Sequence, residues 1–420
     1  MLRRRLGDEA EPGCLVSVAV LVPYAGGAAS PSDIWRGARG RWQIVFLYTA
    51  SDRHPPEILK VMSVFGEVIN LEEAGYRGAV NRARELGVRG VVTFSESMVR
   101  LANALASDLG CVANPPGTAV NVTDKSRQRQ VLNDAQVSVT RFAAVGSGPV
   151  ADAIGVVGLP AVLKPCLGSA SRGVRLVEDA AAASVSGAAG EEWLLEELLE
   201  GAPRDGEPWL GDYVSVEMLS VGRRHQLLGV TDKLPLGSGF RETGVVLPSG
   251  LSRATRQELA ELTARALGAL GFENGITHTE IKLTAHGPRL IEVNGRLGGT
   301  IQRLFTRGSD INPVALALEV AMGGQPWPGE ASFQVHLASV RVLPPAGAVR
   351  ATELPAVAEL RRLAGVWQVA EHARPGDTVD ATAGSLSRVQ TIDVEATSRH
   401  ELADRVLAVT AYASDNAAFG

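Results

Sequence analysis

Two hydrophobic rhythms divide the chain. From residue 15 to 113, short apolar runs ("SVAVLVP", "WQIVFLYTA", "GEVINL", "GVVTFS") alternate with helix-like stretches such as "AVNRARELGV" and "ESMVRLANALASDLG". Strand and helix in alternation predict a small doubly wound layer on a parallel sheet. The prolines and glycine of "ANPPGTAVNVTDK" mark a boundary near residue 117. Beyond it come longer strands, glycine loops and two helices, "DKSRQRQVLNDAQV" and "SRATRQELAELTARALGALG". Asn121, Thr123 or Asp124 caps the first, since each can accept from free N–H groups. "GGQPWPGE" is a second boundary, and the strands and final helix of residues 329–420 read as a small α+β module.

One hairpin is unusually polar. In "THTEIKLTAHGPRLIEVNGRLGG", residues 277–299, alternate positions share a face. His278, Glu280 and Lys282 therefore lie together, as do Glu292, Asn294 and Arg296, with "HGP" as the turn. Ile281, Leu283, Leu290, Ile291 and Val293 supply a core face, which argues against a merely solvated hairpin. Pairing brings Glu280 near Glu292 and Asn294, an all-oxygen set suited to Mg²⁺, whereas zinc would want more His or Cys. Arg296 is permanently charged and can fork onto a phosphoryl oxygen or carboxylate.

A second stretch, "PAVLKPCLGSASRGVRLVED", delivers Lys164 from a strand into a glycine loop. Gly168 and Gly173 bracket Ser169, Ala170 and Ser171, whose N–H groups can close over phosphate oxygens. It is not a Walker loop, and no GxGxxG follows the first strand. "EEWLLEELLEGAP" ends an apolar strand with Glu196 and Glu197, and "YVSVEMLSVGRRHQLLGVTDK" reads as two strands with Glu217 and Lys233 exposed. Each of these stretches also has an ordinary reading as a turn or strand end; their order makes them specific.

Composition narrows the function. The 420 residues are 45% hydrophobic and 21% charged, with net charge −5, enough for two or three real cores and no basic field for nucleic acid. Three cysteines without a CxxC pair suit a reducing compartment. The opening residues resemble a secretory signal, but Asp8, Glu9, Glu11 and Pro23 interrupt it, so a first buried strand is expected there. No apolar run is long enough to span a bilayer.

Taken in order, lysine, glycine loop, acidic hinge strand, "SVE" strand and "HTE…IEVNGRLGG" hairpin resemble the ATP-grasp superfamily. Within it the best likeness is to carboxylate–amine ligases of the L-amino acid ligase and carnosine synthase kind, and it covers residues 118–325. The resemblance implies an ATP-grasp fold of mixed α/β and α+β class. Residues 1–117 would form the N-terminal doubly wound domain, 118–328 the ATP-grasp domain with a lid at about 140–210, and 329–420 the C-terminal domain.

It also implies roles. Lys125 and Lys164 would meet the nucleotide phosphates under a mobile flap, Ser169 to Gly173. Glu196 and the backbones of Glu197 and Leu199 would hold the adenine edge. Glu280, Glu292 and Asn294 would hold Mg²⁺, or Mn²⁺ in its place, and Arg296 would stabilise the phosphoryl group. His278 would touch substrate or orient a ligand, while Lys233 and Glu242 fall in a closing loop. Where relatives place an acid for the ribose, this chain has Tyr213, with Asp212 one residue early.

The activity implied is ATP-dependent joining of a small carboxylate to an amine, both expected to be amino acids, through an acyl phosphate. The setting would be cytoplasmic, without nucleic acid or membrane, in a homodimer such as related ligases often form. A biotin-carboxylase-like or purine-pathway enzyme is the alternative within the superfamily, and a nucleotide-binding protein without catalysis the alternative outside it.

Overall fold

A computed structural model describes residues 18–50, 54–146, 150–180 and 192–420. The opening segment read above against a secretory signal, Cys14 included, and most of the Ala/Gly-rich run before Trp193 lie outside these residues. The first layer is a parallel sheet of β1 (Ala19–Pro23), β2 (Gln43–Tyr48), β3 (Glu67–Asn70) and β4 (Val88–Val91), in the order β3-β2-β1-β4. Helices α1 (Pro31–Ala38), α2 (Pro56–Phe65), α3 (Leu71–Glu85) and α4 (Val99–Leu109) complete it. All five residues of β1 are buried, as a central parallel strand requires.

The strand order reverses between β1 and β4, the place where open α/β sheets bind ligands. The loops leaving these two strands meet there, with Ala28 N–H donating to Phe94 carbonyl at 2.9 Å. Gly27 makes the approach possible: its φ is +112°, and a Cβ would lie 2.2 Å from the Phe94 oxygen.

After α5 (Thr118–Thr123) comes α6 (Lys125–Asp134), where Asp124 supplies the cap by accepting from the N–H groups of Ser126 and Arg127. A second small sheet follows, antiparallel and ordered β5-β8-β6-β7. Its strands are β5 (Phe142–Val145), β6 (Ala161–Pro165), β7 (Arg175–Val177) and β8 (Trp193–Glu197), backed by α7 (Val150–Val157).

The third sheet is the largest. It contains β9 (Tyr213–Val221), β10 (Arg224–Lys233), β11 (Gly244–Leu247), β12 (Gly275–Thr284) and β13 (Gly287–Asn294). It runs on without a break into β14 (His336–Val342), β16 (Val366–Glu371) and β17 (Gln390–Ala396), every neighbouring pair being antiparallel. The short β15 (Ala351–Glu353) pairs instead with β18 (Ala418–Phe419). Helix α8 (Arg253–Leu270), capped by Ser252 and ended by left-handed Gly271, packs Leu259, Leu262, Leu267 and Leu270 on one face of this sheet. α9 (Ile301–Gly308) and α10 (Pro313–Ala321) fill the space between it and the N-terminal layer, while α11 (Val357–Leu360) and α12 (Arg399–Asp415) close the C-terminal part.

Phe305 on α9 stands at the centre of the shared core. It is fully buried, meets Phe333 edge-on with ring centroids 5.2 Å apart, and packs over Gly229, whose added Cβ would come within 3.0 Å of the ring. Phe305→Ala removes a ring that this packing could not close around. It should cost about 3–5 kcal/mol of stability, read by chemical denaturation; a loss under about 1 kcal/mol would contradict this placement of the core.

Candidate active site

The three sheets face a common cleft of about 770 Å³. Its floor is the β12–β13 hairpin. The two strands pair His278 with Asn294 and Glu280 with Glu292, after which the register slips so that Ile281 faces Leu290. Ile291 is therefore the extra residue of a β-bulge. The bulge corrects one expectation: Leu290 and Val293 are fully buried in the core, but Ile291 lines the cleft.

β13 is an edge strand, and α6 covers its open side. Gln128 exchanges two hydrogen bonds of 2.8 Å with the backbone of Val293, and Ser138 Oγ accepts from Leu290 N–H at 2.8 Å. Arg129, nearly fully buried, donates to the carbonyls of Leu290 and Ile291 and binds Glu196 through Nε at 2.8 Å. Lys164 reaches the other oxygen of the same carboxylate. Burial alone would raise the Glu196 carboxyl, but the charges of Arg129 and Lys164 hold it at about 2. Two cations thus share one buried anion at the root of the glycine loop.

Lys125, at the first position of α6, donates to Gly168 carbonyl at 2.6 Å and pairs with Glu292 at 3.2 Å. In the loop, Gly168 has φ +134°, and Ala170 and Ser171 are left-handed at +60° and +57°. Such a conformation costs non-glycine residues energy and is kept where the surroundings enforce it. Here Ser171 Oγ donates to Phe240 carbonyl at 2.8 Å, and Ser385 N–H donates to Ala170 carbonyl at 2.7 Å. The loop is closed over the cleft by the β10–β11 connection and the β16–β17 connection.

Burial also corrects the expected exposure of Glu217 and Lys233, because β9 and β10 are covered on both faces. Glu217 accepts from His278 Nδ1 at 2.5 Å, and Lys233 pairs with Glu242 at 2.5 Å. Burial opposes the charged His278, yet Glu217 and Glu280 raise its pKa. Burial likewise acts against the Glu280 carboxylate, and His278, Lys233 and Arg296 bring it to about 2. Arg296 is held by Glu96 at 2.9 Å and donates to Asn294 Oδ1 at 3.2 Å.

Of the residues expected from sequence, Lys125, Lys164, Ser169, Ala170, Ser171, Glu196, Glu197, Leu199, Lys233, His278, Glu280, Glu292, Asn294 and Arg296 all line the cleft. Gly173 sits behind the loop, where φ +74° and Pro165 at 3.0 Å from an added Cβ call for glycine. Asp212 pairs with Lys282 at 2.7 Å, and it is Lys282 that reaches the cleft. Tyr213 lines it too, with a buried hydroxyl that has no partner among the described residues. Glu197 differs in that its side chain binds Arg141 and Arg289 and its N–H donates to Arg141 carbonyl at 3.0 Å.

Sequence reasoning missed Glu96, Arg129, Arg303, Arg341 and Arg388. Glu96 follows the C-terminal end of β4, so the strand-order reversal was a usable signal. The others had none: Arg129 stands in a helix that reads as a basic surface, and the remaining three come from distant segments.

Among the described residues no three His, Cys, Asp or Glu side chains already converge on one point. Glu280, Glu292 and the Asn294 amide nevertheless present only oxygens, from adjacent paired positions, and the two carboxylates are 29% and 19% exposed toward the cleft. That chemistry fits Mg²⁺ or Mn²⁺.

The fold is the ATP-grasp fold, and residues 157–303 match the ATP-grasp domain. Among individual relatives, the chain is 28% identical over 341 residues to mouse carnosine synthase 1, covering 73% of this chain and 40% of that protein. It is 29% identical to alanine–anticapsin ligase of Bacillus subtilis, covering 54% and 52%. The chain thus spans about half the length of these relatives or less. The L-amino acid ligase structure from Bacillus licheniformis has the same fold, with TM-score 0.74 at 19% identity over 96% of this chain and 98% of that one.

Arg129→Met would leave Glu196 to Lys164 alone and strip two carbonyls of β13 of their donor. It should cost about 3–5 kcal/mol near neutral pH. Because the Glu196 pKa is depressed, its contribution is full above its ordinary value of 4.5 and fades as pH falls toward 2. The gap between wild type and variant, followed by denaturation across that range, should narrow with acid; a constant gap would contradict the pairing.

Proposed function

We propose that this protein is an ATP-dependent carboxylate–amine ligase that joins two amino acids, or an amino acid and a small amine, into an amide. The observation that carries the reading is the hairpin register, which sets Glu280 against Glu292 and His278 against Asn294, beside Lys125 and Arg296 in one cleft. Adenine binding alone needs no paired carboxylates, so a non-catalytic nucleotide binder leaves this set unexplained.

The chemistry begins with a carboxylate, a poor acyl donor because its leaving group would be oxide. Accepting the γ-phosphoryl group of ATP turns it into an acyl phosphate, whose leaving group is phosphate. Lys125 and Lys164 neutralise the phosphate chain, and the glycine loop offers N–H groups above it. Arg296, kept in place by Glu96, faces the charge that gathers on the transferred oxygens. Mg²⁺ held by Glu280, Glu292 and Asn294 would supply further charge neutralisation there. Glu217 fixes the His278 ring, and His278 in turn supports Glu280. With the loop latched by Ser385 and Phe240, water is kept from the acyl phosphate until the amine attacks, giving amide, ADP and phosphate.

Tyr213 is the group at the ribose-binding position that faces the cleft, since Asp212 is taken by Lys282. ATP as the nucleotide and a cytoplasmic setting belong to the same reading. No described helix is long and apolar enough to cross a membrane.

Phosphate release from ATP, measured with a panel of amino acid pairs and mass detection of the amide, tests the activity; release with no pair would overturn it. Glu292→Gln should lower turnover at least about 100-fold with little change in stability, because it removes charge from the cleft and no core contact. Lys164→Ala should weaken ADP binding about tenfold in calorimetry. Unchanged affinity would mean that the loop lysine does not meet phosphate.

A further inference from the structure

The arginines of the C-terminal wall of the cleft are unused by the steps above, and they make it strongly cationic. Arg303 from α9, Arg341 from β14 and Arg388 just before β17 all reach it, near Lys233. Two are matched by acids: Arg303 pairs with buried Asp393 at 2.5 Å, and Arg341 with Glu242 at 2.5 Å. Glu242 is also the partner of Lys233. Four cations therefore stand against two carboxylates.

Arg388 is the unmatched one. Its Nε donates to His372 Nε2 at 3.3 Å and one terminal nitrogen to Ser385 carbonyl at 3.4 Å, both long and both neutral acceptors. Among the described residues no carboxylate lies within ion-pair distance of it. Burial, then Arg341 and Arg303, push its pKa down to about 10 against the opposing pull of Glu242, and burial, then Arg388 with Arg303 and Arg341, holds His372 at about 4, so the imidazole adds no charge. A surface arginine would be relieved by water. This one is partly desolvated and crowded by like charge, while Gln368 and Ser385 add polar groups to the same wall.

We propose that Arg388, flanked by Arg303 and Arg341, is the subsite for a carboxylate carried by the amine substrate. This deepens the ligase reading and rests on it. In a reaction between two amino acids, the donor's carboxylate is consumed at the phosphoryl group beside Arg296. The anion left over is the carboxylate one carbon from the attacking nitrogen. A planar guanidinium holds such a group by two parallel hydrogen bonds and so aims the amine at the acyl carbon. Arg388 is then a specificity-determining residue that selects amines bearing a carboxylate.

The test pairs L-amino acids as donors with four kinds of amine: free L-amino acids, their C-terminal amides, the corresponding decarboxylated amines, and phosphoethanolamine. Wild type should use free amino acids at a kcat/KM about 100-fold above the amides and amines. Arg388→Gln should raise the KM of the free amino acid about 10- to 100-fold, leave the KM values of ATP and donor within about twofold, and erase the discrimination. Arg388→Lys should restore part of it. Equal use of amides by wild type, a preference for phosphoethanolamine, an unchanged amine KM in Arg388→Gln, or a shift falling on the donor would each overturn the assignment while leaving the ligase reading intact. Amide from no pair at all would overturn both. If Arg388→Gln does not fold, the wild-type comparison of acids with amides decides.

Discussion

Ile291 has no partner across the β12–β13 hairpin, and the position of that one unpaired residue governs the cleft. Leu290 and Val293 are three apart, so in a regular strand they would face opposite ways; the bulge lets both enter the core. It also leaves Glu292 and Asn294 opposite Glu280 and His278. A one-residue slip would turn the carboxylates into the core, a cost that fixes register wherever one face is buried. The open edge of β13 is secured by α6, where Gln128 satisfies Val293 and Arg129 satisfies the carbonyls at the bulge. Arg129 then extends to Glu196, which ties the floor of the cleft to the small sheet carrying the glycine loop. Floor and loop are thus positioned by one buried guanidinium.

The charges obey a consistent rule. Cleft carboxylates are paired with protein cations: Glu292 with Lys125, Glu96 with Arg296, Glu196 with Arg129 and Lys164, Glu242 with Lys233 and Arg341. Such pairs keep acids charged inside a desolvated cleft, where an isolated carboxylate would take up a proton. They also leave cations in excess, because Glu196 and Glu242 each serve two. Excess positive charge in a cleft with low-dielectric walls is the condition under which a polyanion binds and developing negative charge is stabilised without rearrangement.

Much of this was readable in the sequence, and the readable part has a common physical basis. Strand period alone put His278, Glu280, Glu292, Asn294 and Arg296 on one floor, and proline and glycine punctuation found the glycine loop. Local signals also gave the parallel sheet of the first layer and the capped helix at Asp124. The bulge was not readable, since nothing in "RLIEVN" marks Ile291 as the residue without a partner. Nor was the burial of Glu217 and Lys233: a charged residue in an alternating strand reads as exposed unless its counter-charge is known, and here His278 comes from another strand and Glu242 from the β10–β11 connection. Arg303, Arg341 and Arg388 lie up to eighty-five positions apart in number and meet only because β14 and β17 join the same sheet as β11.

That continuity has a functional consequence. β11 lies between β10, which ends in Lys233, and β14, which carries Arg341, so the floor of the cleft and the C-terminal wall are parts of one hydrogen-bonded sheet. Their distance is set by strand spacing and not by a flexible linker. The N-terminal layer contributes Glu96 from the opposite side, through the loops at its strand-order reversal. A substrate pair would thus be held between two walls of independent origin over a shared floor. Under the proposed function, changing what is joined requires changes only in the walls, while Glu280, Glu292, Asn294 and Arg296 on the floor serve any substrate. The roles proposed for Arg388 and Arg296, each toward a different carboxylate, are separable for this reason: the two guanidiniums sit on different elements.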